Sequence, residues 1–174
     1  MSIAVYSARQ TQQLFDLFSA MTDYYAGDPA RINHFVKVHA YARQIGLAEQ
    51  LNADTLFLLE AAALTHDIGI REAERRYGQC GGKLQERLAP PEAQKMLDSL
   101  GFAPDVTERV CFLIAHHHTL DSVDALDWRI LLEADFLVNM IEEGMKADAI
   151  QCGREKIFRT EMGLRLMKRL MPKG

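Results

Sequence analysis

The run Ala61-Ala62-Ala63-Leu64-Thr65-His66-Asp67-Ile68-Gly69 constrains the fold more than any other stretch of the chain. With Leu56 and Leu59 before it, the segment follows a helical period and is apolar almost all the way round, the pattern of a helix covered on several sides. That helix ends in an adjacent histidine and aspartate, and both need partners once water is removed. A divalent transition metal satisfies both, because neutral imidazole and ionised carboxylate are ordinary ligands for such ions. The competing reading of the dipeptide is a histidine that caps its own helix beside a surface aspartate, and two residues alone do not separate the two. Gly69 is expected to let the chain leave the helix in a left-handed turn.

At 174 residues, 48% hydrophobic and 25% charged, the chain is expected to form one domain over 1–174 with its own core. A formal charge of -4 and a pI near 5.9 argue against a dedicated nucleic-acid binder, which would carry a basic footprint. A small anion remains within reach of local cations. The N-terminus lacks the charged region and apolar run of a signal peptide, and no stretch approaches the roughly 20 apolar residues of a membrane span. The expectation is a soluble cytoplasmic protein without a membrane partner, with a homodimer left open. Cys80, Cys111 and Cys152 are odd in number and far apart, so they read as free thiols rather than a zinc site or disulfide framework.

No segment alternates in twos over a useful length, so the fold class is all-α, with about six to eight helices. Leu14, Phe15, Phe18 and Met21 mark a first helix over Thr11 to Tyr25. Asp28-Pro29 pairs an N-cap with a proline at the first helical position and opens a second helix, running to about Ile45. There Phe35, Val38, Ala42 and Ile45 form the buried stripe, and His34 borders it. His39 lies about 140° from His34 and reads as an ordinary polar residue. Asn52 or Asp54 caps the third helix, which carries His66 and Asp67 on one face. Pro90-Pro91 is expected to start a helix that ends at Gly101, and Ala103-Pro104-Asp105 to open the next. On the latter, Val110, Leu113, Ile114, His117 and His118 share one face, while His116 falls off it.

Between Ile70 and Leu88 the periodicity fails, so an irregular segment is expected, with Arg71, Arg75, Arg76, Lys83 and Arg87 around a glycine-rich centre. Cations beside glycines suit an anion, most simply phosphate. A solvated charged helix end followed by a turn fits the same residues. After a polar turn over Asp121 to Asp127, the run from Trp128 to Met140 holds a second anomaly, Asp135. A carboxylate inside such an apolar run requires a cation. Glu133, roughly 200° away, is expected to face solvent. Arg154 to Leu170 reads as an amphipathic packing helix, with membrane binding as the minor alternative.

The order His34, His66-Asp67, His117/His118, Asp135 resembles the HD-domain superfamily of metal-dependent phosphohydrolases. The resemblance rests on Asn33-His34-Phe35-Val36-Lys37-Val38, Ala63-Leu64-Thr65-His66-Asp67-Ile68-Gly69, Ile114-Ala115-His116-His117-His118-Thr119 and Leu132-Glu133-Ala134-Asp135. It covers about 28–140, leaving an N-terminal helix and a C-terminal packing helix outside the core. It implies a helical bundle in which His34, His66, Asp67 and Asp135 bind one divalent ion, such as Fe, Mn, Co, Ni or Zn. In two-metal members Asp67 would bridge the ions, and His117 and His118 match the later histidines. Where those members carry one more histidine, this chain offers Gln85, Glu86 and Leu88, so Glu86 would stand in or the second site would be weak.

The implied activity is hydrolysis of a small nucleotide-like phosphoester or phosphoanhydride. Asp67 and His66 would hold the ion that activates water, and Lys37, Lys83, Arg71 or Arg75 would meet the remaining phosphate oxygens. Two alternatives have different chemistry: a di-iron oxygenase of the same ligand order, and a metal-stabilised domain that binds a nucleotide without turning it over.

Overall fold

The structure is a computed structural model and describes residues 5–119 and 125–171. Among them are nine α-helices and no strand: α1 (Ala8–Tyr24), α2 (Pro29–Ala48), α3 (Ala53–Thr65), α4 (Gly69–Tyr77), α5 (Gly82–Ser99), α6 (Pro104–Ile114), α7 (Leu126–Glu142), α8 (Ala147–Ile157) and α9 (Glu161–Leu170). The all-α architecture is the expected one. The count passes eight because the segment read as irregular folds into α4 and the start of α5, and because the tail breaks into two helices around Phe158.

The apolar run of α3 forms the centre of the bundle, packed by α1, α2, α6 and α7, while α2 also lies along α7. Leu56, Leu59, Ala61, Ala62, Ala63 and Leu64 are all buried, as the all-round hydrophobicity of the segment requires. Local capping sets the entry of each helix near the site. The Asp28 Oδ1 accepts from Arg31 N at 3.1 Å with Pro29 in the first turn of α2, and Asn52 Oδ1 accepts from Thr55 N at 2.9 Å to start α3. On α1 the inward residues are Leu17 and Met21, whereas Phe15 is 65% exposed.

Four local expectations are corrected. Gly69 does not make a left-handed turn: His66 and Ile68 keep right-handed helical angles, and α4 starts at Gly69 almost without a break. Its lack of a side chain serves a close approach, since a Cβ there would lie 2.7 Å from the backbone nitrogen of Ala89 on α5. The irregular segment is helical because Glu72 pairs with Arg75 and Arg76 three and four residues on, and Gly78, at φ +66°, closes α4 in the left-handed region. Pro90-Pro91 does not start a helix but lies inside α5, whose face of Gln85, Leu88, Ala89, Ala93 and Leu97 is buried on the bundle. Packing there outweighs the two lost backbone donors.

The fourth correction concerns Glu133, which is fully buried rather than solvent-facing. Its carboxylate accepts from Arg159 N at 2.6 Å, Thr160 N at 3.0 Å and the Thr160 hydroxyl, and so holds the α8–α9 junction against α7. Burial raises its pKa, against the pull of these donors. Part of the expected polar turn, residues 121–124, lies outside the described residues, as do Met1 to Ala4 of the N-terminal segment read for a signal peptide. No helix among the described residues is long and apolar enough to cross a membrane.

Candidate metal centre

Five of the expected ligands converge where α2, α3, α6 and α7 pack together. His34 sits in α2, His66 and Asp67 in the turn closing α3, His117 in the turn after α6, and Asp135 in the middle of α7. His34 Nε2 lies 3.2 Å from His66 Nε2, 3.3 Å from Asp135 Oδ1 and 3.4 Å from Asp67 Oδ2. His66 Nε2 lies 3.5 Å from both carboxylates. Ligand atoms on one ion with bonds of about 2.1 Å stand about 3.0–3.4 Å apart, so these spacings are those of a shared coordination shell.

The tautomers point the same way. His66 Nδ1 donates to Ala63 O at 2.9 Å, His117 Nδ1 to Ile114 O at 2.6 Å, and His34 Nδ1 to Glu142 Oε2 at 2.8 Å. In a neutral ring whose Nδ1 carries the proton, Nε2 is a bare lone pair. Three such lone pairs therefore face two carboxylates. His117 Nε2 is buried with no hydrogen-bond partner among the described residues, and its nearest carboxylate oxygen there, Asp67 Oδ1, is 3.7 Å away. A buried lone pair left over in this way costs free energy that a cation removes. This donor set fits a divalent ion.

Electrostatics carries the same demand. Without a cation the site attracts a proton in its place: burial opposes charge on His34, but the Asp135 hydrogen bond and the Asp67 and Asp135 charges override it and raise its pKa to about 9, so a metal binding at Nε2 would displace that proton. His66 is raised for a similar reason, burial being outweighed by Asp67 and then Asp135. Burial pushes Asp67 up, yet His66 and His117 hold it below the usual carboxylate range. Asp135 is likewise held well below the usual carboxylate range, by His34 and His66 against its burial. Two buried carboxylates at one point keep their charge only against positive charge.

The second expected group is looser. Asp67, His117 and His118 can offer one ligand atom each within a common radius of 4.8 Å. His118, however, turns its Nε2 to Gln85 Oε1 at 2.7 Å. Burial lowers its pKa to about 4, so its ring is neutral at physiological pH. Glu86 does not approach the rings. Its Oε1 accepts from His118 N at 3.0 Å and Thr119 Oγ1 at 2.9 Å, which makes it a clasp on the turn after α6. His116 donates to Phe112 O at 2.7 Å and stays apart from the cluster, as its place off the stripe requires. His39 pairs with Glu60 at 2.7 Å, also away from the site.

The cluster opens on a cavity of about 530 Å³ whose lining includes His34, Asp67, His118 and Asp135 together with the apolar Met21, Phe35 and Ile70 and the polar Tyr25, Asp28, Gln85, Asn139, Glu142 and Glu143. Among the described residues, Arg31 is the one Lys or Arg in that lining. Arg75 and Lys83, expected to face a phosphate, are not part of it. Arg75 is 67% exposed and forked onto Glu72 on the outer face of α4, and Lys83 is exposed at the start of α5. Arg71 is spent on Tyr24 O at 2.7 Å. Residues that sequence reasoning missed are Tyr25, whose hydroxyl donates to Asp67 O at 2.8 Å, Asn139, which donates to Asp135 Oδ1 at 2.9 Å, and Glu142. Asn139 and Glu142 follow Asp135 by four and seven residues, a helical spacing that was the available signal.

The family model for the HD domain matches residues 31–140, the span that holds His34, His66, Asp67, His117, His118 and Asp135. The chain belongs to the HD-domain family. It is similar to the crystal structure of a predicted HD superfamily hydrolase from an uncultured Thermotogales bacterium, at 26% identity and a TM-score of 0.60, over 91% of this chain and 83% of that one. A comparison with curated proteins returns no match. An HD-family chain with a His/Asp cluster of this kind is supported as a member of a superfamily of metal-dependent hydrolases.

Proposed function

We propose that this HD-domain protein is a phosphohydrolase that cleaves a small phosphorylated substrate, nucleotide-like in size, at a divalent transition-metal centre built on His34, His66, Asp67 and Asp135. The observation that carries the reading is the convergence of three imidazole lone pairs and two carboxylates at a cavity whose lining holds, among the described residues, a single guanidinium. A bound ion supplies water of lowered pKa and offsets charge developing on a phosphoryl oxygen. The chain's own residues position the rest. Asp67 and Asp135 hold the charge of the centre; the Tyr25 hydroxyl ties down the Asp67 backbone carbonyl, and the Asn139 carboxamide donates to the Asp135 carboxylate.

Arg31 takes the phosphate-facing part that sequence reasoning gave to Arg75 and Lys83. Asp28 at 3.0 Å and Glu74 at 2.6 Å hold its guanidinium at the cavity wall, and the fork has further donors for a phosphate oxygen. The apolar part of the lining, Met21, Phe35 and Ile70, gives an organic group a place to lie. The oxygenase alternative requires two firmly held irons, and the engagement of His118 with Gln85 counts against a second one.

The test is a screen of nucleoside mono-, di- and triphosphates, dinucleoside polyphosphates and cyclic nucleotides with Mn, Co, Mg and Fe in turn. Hydrolysis of at least one substrate–metal pair, read by chromatography as the nucleoside or nucleotide product with any phosphate or pyrophosphate released, supports the proposal. Inactivity on all of them, together with ferrous-dependent oxygen consumption on an organic substrate, overturns it in favour of the oxygenase.

A further inference from the structure

Of the three imidazoles in the cluster, two are oriented by their own backbone and one is not. His66 and His117 each donate Nδ1–H to a carbonyl three residues earlier, Ala63 O and Ile114 O, neutral acceptors that no side-chain change can remove. His34 instead donates to a carboxylate from another helix, Glu142 Oε2 at 2.8 Å. Glu142 ends α7, two turns beyond Asp135, and its other oxygen accepts from Lys37 Nζ at 2.8 Å. Lys37 follows His34 by three residues and so shares its face of α2. A carboxylate is thus clamped at the cavity rim between an ammonium and the back of a metal-facing imidazole. It lies just beyond the matched HD span of 31–140.

An anionic acceptor behind a ligand histidine does two things that a carbonyl does less well: it fixes the ring against rotation, and it makes the opposite nitrogen a better donor. From this geometry we infer that Glu142 is the positioning residue of the metal centre, acting through His34, with Lys37 limiting its charge. The inference rests on the metal-centre reading above and concerns how tightly the chain holds its ion. Lys37 neutralises part of the Glu142 charge, so its removal strengthens the pull on His34, whereas removal of the Glu142 charge weakens it. Loss of the Glu142 charge is therefore expected to weaken metal binding, whereas loss of its ion-pair partner Lys37 is not.

The experiment is a Co²⁺ titration of metal-free full-length protein, followed by the visible absorption of the bound ion and by competition with a chelator. Four proteins are compared: wild type, Glu142→Gln, Lys37→Met and Glu143→Gln. Glutamine keeps an acceptor for His34 and removes the charge. The expected result is a Kd about 10- to 100-fold weaker for Glu142→Gln, with an altered absorption band. Lys37→Met is expected to bind as tightly as wild type or more tightly. Glu143→Gln, a neighbouring carboxylate on the same cavity wall, is expected to change affinity less than threefold. Thermal unfolding of the metal-free proteins accompanies the titration. If Glu142 serves only to tie α2 to α7, Glu142→Gln and Lys37→Met lower the unfolding temperature together and leave the Co²⁺ affinity unchanged, which overturns the inference. Equal weakening by Glu142→Gln and Glu143→Gln overturns it too, since the effect would then be cavity charge at large. Wild-type protein that binds no Co²⁺ would instead defeat the metal reading on which the inference rests.

Discussion

Replacing Gly69 by alanine separates two effects of opposite sign. Gly69 opens α4, and alanine in a helix is worth up to about 1 kcal/mol over glycine. Against this, the added Cβ would stand 2.7 Å from Ala89 N and 3.0 Å from Ala89 Cα and Cβ. These are largely backbone atoms of α5, which cannot swing aside as a side-chain tip can. Relief requires α4 and α5 to part, and overpacking of this kind costs about 1–3 kcal/mol, towards the upper end where backbone must move. The net loss is about 1–2 kcal/mol, or roughly 2–8 °C in Tm for a domain of this size. Gly46→Ala is the comparison, because its Cβ would also meet a neighbour at 2.7 Å, but that neighbour is Leu56 Cδ1, the far end of a flexible side chain. Thermal unfolding followed by circular dichroism should show Gly69→Ala losing more than Gly46→Ala. A Gly69→Ala protein as stable as wild type, or a larger loss in Gly46→Ala, would refute the close-packing role.

Further expectations concern charge. Arg31→Ala should lower kcat/KM for a phosphorylated substrate by tenfold to more than a hundredfold, about 1.5–3 kcal/mol for a lost charge-assisted contact, with metal content unchanged. Arg75→Ala and Lys83→Ala should stay within error, and the reverse ranking in steady-state kinetics would return the phosphate contact to α4 and α5. At the buried Glu60, burial pushes the pKa up, but hydrogen bonds from His39 and Tyr6 and the Arg43 charge bring it below the ordinary 4.5. A folded pKa below the unfolded one gives stability that is present at neutral pH and is lost as pH falls below about 4.5. Glu60→Gln should cost about 1–3 kcal/mol at neutral pH and lose less on acidification than wild type, read by denaturant unfolding across the acid range. Parallel acid profiles for the two proteins would contradict this.

The helices that bear the site were legible because each carries an apolar stripe with a clear start signal: Asp28-Pro29 for α2, Asn52 for α3 and Pro104 for α6. Asp135 stood out for the same reason, a carboxylate inside an apolar run. α4 was not legible by that route, since only Gly69, Ile70 and Ala73 are buried and the helix is held by Glu72–Arg75 and Glu72–Arg76 pairs. Those pairs were in the sequence at helical spacing, but beside a glycine cluster they read as loop charges. Glu133 was misplaced because a helical wheel knows nothing of the α8–α9 junction that folds back over that face of α7. Arg31 was passed over for the cations after Ile70, because its place at the cavity depends on Asp28 and on Glu74 from α4. Glu142 and Tyr25 reach the cluster across helix packings that a single chain of letters does not display.

The most direct measurement is the metal content of protein purified without chelators, determined by elemental analysis for wild type and for Asp67→Ala. Asp67 faces His34, His66 and His117 at once, at 3.4, 3.5 and 3.7 Å, so its loss removes the one carboxylate common to the whole cluster. The expected result is one or two divalent transition-metal ions per wild-type chain and a loss of most of that metal in Asp67→Ala, with both proteins helical by circular dichroism. Full occupancy in Asp67→Ala, or wild-type protein that takes up none of Fe, Mn, Co, Ni or Zn, would contradict a metal centre at this site.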